Sequence, residues 1–296
     1  MAIIWNHTKS FLRQLYYQKV INPLIKRMGI THCIPKVETE LEFEVALAEH
    51  CDLNCAGCDH FSPLAEPEFA DYEETARDFA RLSFLFHGHI KQIRLLGGEP
   101  LLHPDIVSFL KMARETFPDA AIIITTNGLK LLNQSEEFWV ACKENSIAIQ
   151  PTKYPIPLNY KEVEKCAADH GVEYSYMNNT GTVTKKINLY RLDVKGLQDS
   201  SKNFLSCFRA NSCVYLQHGR LYTCPIAPTA HHFSKYFGTD LKESPENSID
   251  IYQANSAREI MEFLAKPIPF CRYCMMDKTR WYQPWRQSKR VIEEWT

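Results

Sequence analysis

The sequence has no run of about 18 apolar residues, so no segment is expected to cross a bilayer. It has almost no net charge: 34 Lys and Arg stand against 35 Asp and Glu, a balance of −1. That argues against bulk nucleic-acid binding by charge. The opening MAIIWNHTKSFLRQ lacks the basic start, apolar run and small-residue cleavage site of a secretion signal, so the expected compartment is the cytoplasm. Internal repeats and low-complexity tracts are missing too. Acidic residues are absent from positions 1–36, which carry Lys9, Arg13, Lys19, Lys26, Arg27 and Lys36. There Leu12, Tyr16, Val20, Leu24 and Met28 recur every four positions, with Pro23 placed to kink or divide the stripe. Residues 1–38 therefore read as a basic amphipathic helical extension. It either packs on the main domain by its apolar stripe or offers its basic face to an anionic membrane surface or an acidic partner.

What is present suits a large buried core: 296 residues, 45% hydrophobic and 23% charged. From about residue 39, short apolar runs alternate with helix-length amphipathic segments. The spacing predicts strands over 41–49, 90–96, 120–126, 146–150 and 172–177, with helices over 72–85, 105–116, 135–145 and 160–170. This is the pattern of a parallel sheet built from βαβ units, whose functional loops gather at the C-terminal ends of the strands. After about residue 195 the alternation fades. A hairpin is expected across 214–224, turning at His218-Gly219, and a helix over 257–266. The expected organisation is an α/β domain at 39–195 and a cysteine-bearing module at 196–296.

Eleven cysteines are present: Cys33, Cys51, Cys55, Cys58, Cys142, Cys166, Cys207, Cys213, Cys224, Cys271 and Cys274. In a reducing compartment, tight clusters read as metal ligands rather than disulfides. Cys51, Cys55 and Cys58 follow the first strand directly in C-x3-C-x2-C spacing, and thiolates suit zinc or iron–sulfur centres. Zinc would need a fourth ligand such as His50 or His60. A [4Fe–4S] cube held by three thiolates would keep one iron open. Cys207, Gly219 and Cys224 follow C-x11-G-x4-C, and Cys271 and Cys274 form a C-x2-C pair; a zinc ribbon is the alternative reading of this set. Cys33, Cys142 and Cys166 read as packing residues or idle thiols.

The three-cysteine loop after the first strand, with Gly97-Gly98-Glu99-Pro100 after the second, resembles the radical S-adenosylmethionine (SAM) superfamily over roughly residues 40–190. The resemblance implies a partial (β/α)6 TIM barrel. It also implies a [4Fe–4S] cluster on Cys51, Cys55 and Cys58, with SAM chelating the open iron. The segment Gly97–Pro100 would then receive the SAM amino group: the glycines admit close backbone approach, and Glu99 offers an ammonium partner. Thr126 and Asn127 lie where the family often places the SAM ribose or carboxylate, and Lys153 is a candidate carboxylate partner. In the family the residue before the third cysteine is often aromatic and helps seat adenine. Here it is Gly57, which leaves Phe61 or another side chain as the candidate surface.

The second cysteine group resembles the SPASM and shorter twitch modules of that superfamily. This implies an auxiliary [4Fe–4S] cluster on Cys207, Cys224, Cys271 and Cys274, with Cys213 as the substitute for Cys207. Twitch-type aminocyclitol and sugar dehydrogenases share the arrangement. The likeness implies oxidation of a secondary alcohol in a small polyol, aminocyclitol or carrier-linked sugar, with the auxiliary cluster as electron acceptor. An external one-electron reductant such as flavodoxin or ferredoxin would feed the first cluster. By the same analogy Arg191 is a candidate base, set against an ordinary salt bridge. The alternative outcome is epimerisation, in which Cys213 would return a hydrogen from its thiol. The tail residues Arg280, Trp281, Trp285, Arg286, Lys289 and Arg290 either stack on a sugar and grip phosphate or belong to a helix sealing the core.

Overall fold

The computed structural model describes residues 31–177, 181–183, 186–276 and 281–296. The stripe at residues 12–28 lies outside them. Strands β1 (Glu42–Ala48), β2 (Gln92–Gly97), β3 (Ala121–Thr126) and β4 (Ile147–Pro151) are parallel and adjacent in that order. Helices α1 (Tyr72–Leu85), α2 (Ile106–Thr116), α3 (Glu136–Glu144) and α4 (Tyr160–Asp169) follow them in turn. Each helix sits within a residue or two of its sequence-predicted span because local signals set its ends. In α1, Asp71 accepts from the Glu74 amide as an N-cap, and Phe79, Leu82 and Leu85 are buried on one face. The expected fifth strand at 172–177 is a single parallel bridge, Ile149 with Tyr174, extended by Ser175 N–H donating to Ile149 O and Met177 N–H to Pro151 O.

The hairpin forms as expected, β6 (Val214–Gln217) turning at His218-Gly219 into β7 (Arg220–Tyr222), but not in a separate module. β6 pairs in parallel with the free edge of β1, Glu44 opposite Tyr215, and β7 pairs with β8 (Ser248–Asp250). The seven-stranded sheet β4-β3-β2-β1-β6-β7-β8 thus runs across the boundary expected near residue 195. Its turn is pinned to α1, where Asp78 accepts from the Gly219 amide at 2.8 Å. Beyond it lie α5 (Ser200–Ser206), α6 (Ile226–Phe237) and α7 (Ala257–Leu264), whose Ile260, Met261 and Leu264 join the main core. A two-stranded sheet pairs β5 (Lys186–Leu189) with β9 (Trp281–Pro284).

The sheet is two-faced. Phe43, Val45 and Leu47 of β1, with Ile93, Leu95, Ile122, Ile124, Ile147 and Ile149, enter the helix-covered core. Alternate residues point to the opposite, inner face, and these include Glu44, Arg94, Thr125, Gln150 and Tyr215. Closed barrels of this class fill the interior with branched side chains. Here the inner face mixes these polar side chains with Ala46, Leu96, Ile123 and Ala148. Among the described residues no helix is long and apolar enough to cross a membrane.

Candidate active site

The loop after β1 folds back on itself through left-handed turns at Asn54, Gly57 and Phe61. It holds Cys51, Cys55 and Cys58 together: Cys58 N–H donates to Cys55 O, and the charges of the thiols act on one another. Burial, with Cys58 next, pushes Cys55 up to about 12. Burial, with Glu99 and Cys58 adding to it, pushes Cys51 up as well. Thiolates in such a dry pocket call for a positive centre, and donors are already aimed at the sulfurs. Trp285 Nε1–H donates to Cys55 Sγ at 3.1 Å, and Asn127 Nδ2 to Cys51 Sγ at 3.7 Å.

The zinc alternative would draw its fourth ligand from His50 or His60. Ligand atoms of Cys58, Asp59 and His60 do crowd within 4.8 Å. Burial alone would lower His60, but hydrogen bonds to Asp59 and Cys58 outweigh it and carry the imidazole up to about 10. His50 packs edge-on against Phe69 at 5.0 Å. Three thiols from one loop suit a cluster that keeps one iron open.

The Gly97–Pro100 turn explains itself by packing. Gly98 N–H donates to Ala48 O at 2.7 Å and Glu99 N–H to His50 O at 3.0 Å, so the end of β2 lies directly against the entry to the cysteine loop. A Cβ on Gly98 would press on the His50 and Glu49 carbonyls, and one on Gly97, at φ +126°, on the Ala48 carbonyl. The glycines thus allow the end of β2 to approach the backbone of the cysteine loop closely. Gly98→Ala is expected to cost about 3 kcal/mol, read from the denaturant midpoint, because neither backbone segment can yield freely.

Glu99 takes part in the same packing. It is fully buried, and its oxygens accept from Leu101 N–H (3.1 Å), Thr126 Oγ1–H (2.6 Å) and Asn127 N–H (2.8 Å). It braces β2 against β3. Asn127 carries the brace onward, donating to Asp52 Oδ1 at 2.8 Å beside Cys51. Burial raises Glu99 to about 7 from 4.5, against the pull of its three donors. Its proton is held more tightly in the fold than in the unfolded chain, so folding loses free energy as pH rises from 4.5 to about 7. That loss amounts to ~3 kcal/mol at most. Unfolding titrations across this window are expected to lose that component of their slope in Glu99→Gln.

Two further expectations change. Phe61, proposed for adenine, is 1% exposed and packs against Phe233 and Trp295, so it faces a core. Of the tail residues, Arg280 lies outside the described residues, and the described part from Trp281 onward forms no α-helix. After β9 it runs along the cysteine loop, with Ala56 N–H donating to Arg286 O and Ser288 N–H to Asn54 O. Lys153 lies over the rings of Tyr160 and Tyr176, 5.2 and 4.7 Å from their centres. Arg191 Nη1 donates to Thr296 O at 3.1 Å, tying the stretch after β5 to this tail.

The second cysteine group draws together. Cys207 follows α5, Cys224 precedes α6, Cys271 lies within a short 3-10 turn (Pro269–Tyr273) and Cys274 follows it. All four belong to one cluster with Phe204, Ile226, Phe270 and Tyr273. Burial first, and then the other three thiols, push Cys274 far up. Burial pushes Cys271 up to about 11, with Cys207 adding to it. Asn203 shapes the C-x2-C turn, donating to the Cys271 carbonyl at 2.9 Å and to the Cys274 carbonyl.

Cys213 stands apart from this quartet. Its sulfur accepts from Arg209 Nη1 at 3.7 Å, and the charges acting on it are those of Glu44, Arg209 and Asp59. Burial lifts it to about 12, so it keeps its thiol hydrogen at neutral pH.

Between the two cysteine groups sits a buried ion pair. Arg209 Nη2 reaches Asp59 Oδ2 at 2.5 Å, joining the residue after Cys58 to a residue two past Cys207. Burial works against Asp59, but Arg209 and His60 outweigh it and hold the carboxyl well below its usual range. Glu44 lies beside this pair on the inner face, 7% exposed, and its Oε2 has no hydrogen-bond partner. The hydroxyl of Tyr215, opposite it on β6, is buried and unpartnered too. Arg94 Nη1 donates to Gln150 Oε1 at 3.0 Å further round. Sequence reading missed Glu44, Arg94, Asp59 and Arg209. A charged residue in the middle of an otherwise apolar strand was the available signal for the first two.

Residues 45–149 match the profile of the radical SAM superfamily. Among curated proteins, the chain is 36% identical over 102 residues to a GTP 3',8-cyclase of Nautilia profundicola, covering 33% of this chain and 31% of that protein. It is 33% identical over 90 residues to the enzyme of the same name from Chlorobaculum tepidum, covering 30% and 26%. The chain thus spans under a third of the length of these relatives. Among solved structures, one described as BtrN in complex with AdoMet and 2-DOIA is 17% identical, with a TM-score of 0.49 and coverage of 82% of this chain and 94% of that one.

Proposed function

Starting from a radical SAM domain at residues 45–149, we propose that this chain oxidises a secondary alcohol in a small polyol, aminocyclitol or carrier-linked sugar. When bound, SAM and a [4Fe–4S] cluster on Cys51, Cys55 and Cys58 supply hydrogen abstraction from carbon, and an auxiliary cluster supplies an electron acceptor. The observation that carries the reading is the second quartet, Cys207, Cys224, Cys271 and Cys274, gathered in its own apolar shell. An external one-electron donor such as flavodoxin or ferredoxin completes the system.

The chain's own part is to hold and orient. Buried polar atoms left without partners cost free energy unless a ligand satisfies them. Glu44 Oε2 and the Tyr215 hydroxyl are two such atoms side by side on the inner face, and they suit the hydroxyls of a polyol. The Glu44 carboxyl, which burial raises, is a candidate to receive the hydroxyl proton. Anaerobic reconstitution tests the reading. The expected result is about eight irons per chain and 5'-deoxyadenosine on reduction with SAM, with about four irons in a Cys271→Ala, Cys274→Ala variant. A colourless, zinc-loaded protein would sink it.

Cys213 supports a second reading, epimerisation of a sugar or peptide residue. It is a thiol outside the quartet, close to Glu44, that retains its hydrogen. Turnover in deuterated water separates the two. An inverted, deuterium-labelled substrate means epimerisation; a product two electrons more oxidised means dehydrogenation.

A further inference from the structure

Cys55 is unusual among the three loop thiols in the donors aimed at it. Trp285 Nε1–H reaches its sulfur at 3.1 Å, and the Tyr154 hydroxyl also bonds to it. The two donors pack on each other, ring centres 5.6 Å apart. Trp285 belongs to a strap, residues 281–296, held to the loop at several points. β9 anchors its start, Gln283 Nε2 donates to Ala56 O at 2.9 Å, and Ser288 N–H donates to Asn54 O at 2.7 Å. Trp295 Nε1–H closes the far end on Cys58 O at 2.8 Å. Inside the strap, the 3%-exposed Glu294 accepts from Lys289 N–H at 2.9 Å and from the side chains of Arg286 and Ser288, fixing its shape.

We propose that Trp285 is a positioning residue that sets the reduction potential of the first cluster through its N–H···S bond to Cys55. This rests on the reading that Cys51, Cys55 and Cys58 hold a cluster. Reduction adds negative charge that is shared with the thiolate sulfurs, and a donor pointed at one of them stabilises the reduced state. The Tyr154 ring against the indole and the strap's bonds to the loop on either side hold the N–H on the sulfur. A radical SAM centre must be reducible before it can react, so the strap makes the first electron easier to accept.

The test is a redox titration of the full-length, anaerobically reconstituted protein, following the electron paramagnetic resonance signal that changes when SAM is added. Trp285→Phe keeps the ring contact with Tyr154 and loses the N–H. It is expected to move the midpoint to more negative potential by about 59 mV, a tenfold change in the one-electron equilibrium, with iron content unchanged. Trp295→Phe removes a strap bond of the same kind from a carbonyl rather than a sulfur, and is expected to leave the midpoint in place. An unmoved midpoint in Trp285→Phe, or equal shifts in both variants, overturns the proposal. A wild-type chain that assembles no SAM-responsive cluster overturns the functional reading with it, and the iron count shows which has failed.

Discussion

Cys55→Ala is expected to abolish 5'-deoxyadenosine formation and to lower bound iron by about four per chain. Loss of an outer partner of a metal ligand already costs on the order of 10–100-fold. Loss of a ligand from a loop that supplies three thiols leaves fewer than a cube needs. The assay is chromatographic detection of 5'-deoxyadenosine under anaerobic reduction, with iron measured on the same sample. Cys166→Ser provides the contrast. Cys166 lies on α4 beside His170, outside both thiol groups, and its replacement should leave iron and product unchanged.

The largest stability loss is expected at Arg209. Its guanidinium and Asp59 are mostly buried, with side chains 24% and 14% exposed. Arg209→Met leaves the Asp59 carboxylate without its main partner, and stranding one half of a buried pair costs about 3–5 kcal/mol. The Arg209 guanidinium also lies over the Tyr190 ring, 4.7 Å from its centre, and donates to Cys213, so packing is lost too. Urea denaturation should place Arg209→Met well below wild type. The double variant with Asp59→Asn should regain part of the loss, since the stranded charge is gone. A double variant no better than the single one would mean the ion pair contributes little beyond packing.

The helices and the first four strands were legible because their signals are local. Apolar residues at helical spacing, caps such as Asp71 and Ser135, and short β-branched runs such as AIIITT mark them directly. The first thiol group was legible from spacing, and the second through the resemblance to SPASM and twitch modules. The side chains around them were less so, because burial depends on contacts far along the chain. Glu99 carries the motif, yet Thr126 and Asn127 across the sheet decide whether its carboxylate meets a ligand or a brace. Phe61 follows the loop in sequence, yet Phe233 and Trp295 enclose it. The hairpin at 214–222 was visible as a hairpin. Nothing in its own residues said that β6 would pair with β1, since a strand's alternation fixes its faces and not its neighbour.

The strap's separation from its target also governs how the centre can mature. Gln283, Trp285 and Trp295 bond to a loop lying 227, 230 and 237 residues upstream. Contacts that distant pay their loop-closure entropy late, after nearer pairings have formed. The three thiols are therefore expected to stay uncovered until the strap docks. Docking of the strap then locks the metal in, so chelators should strip the nascent site readily and the finished one slowly.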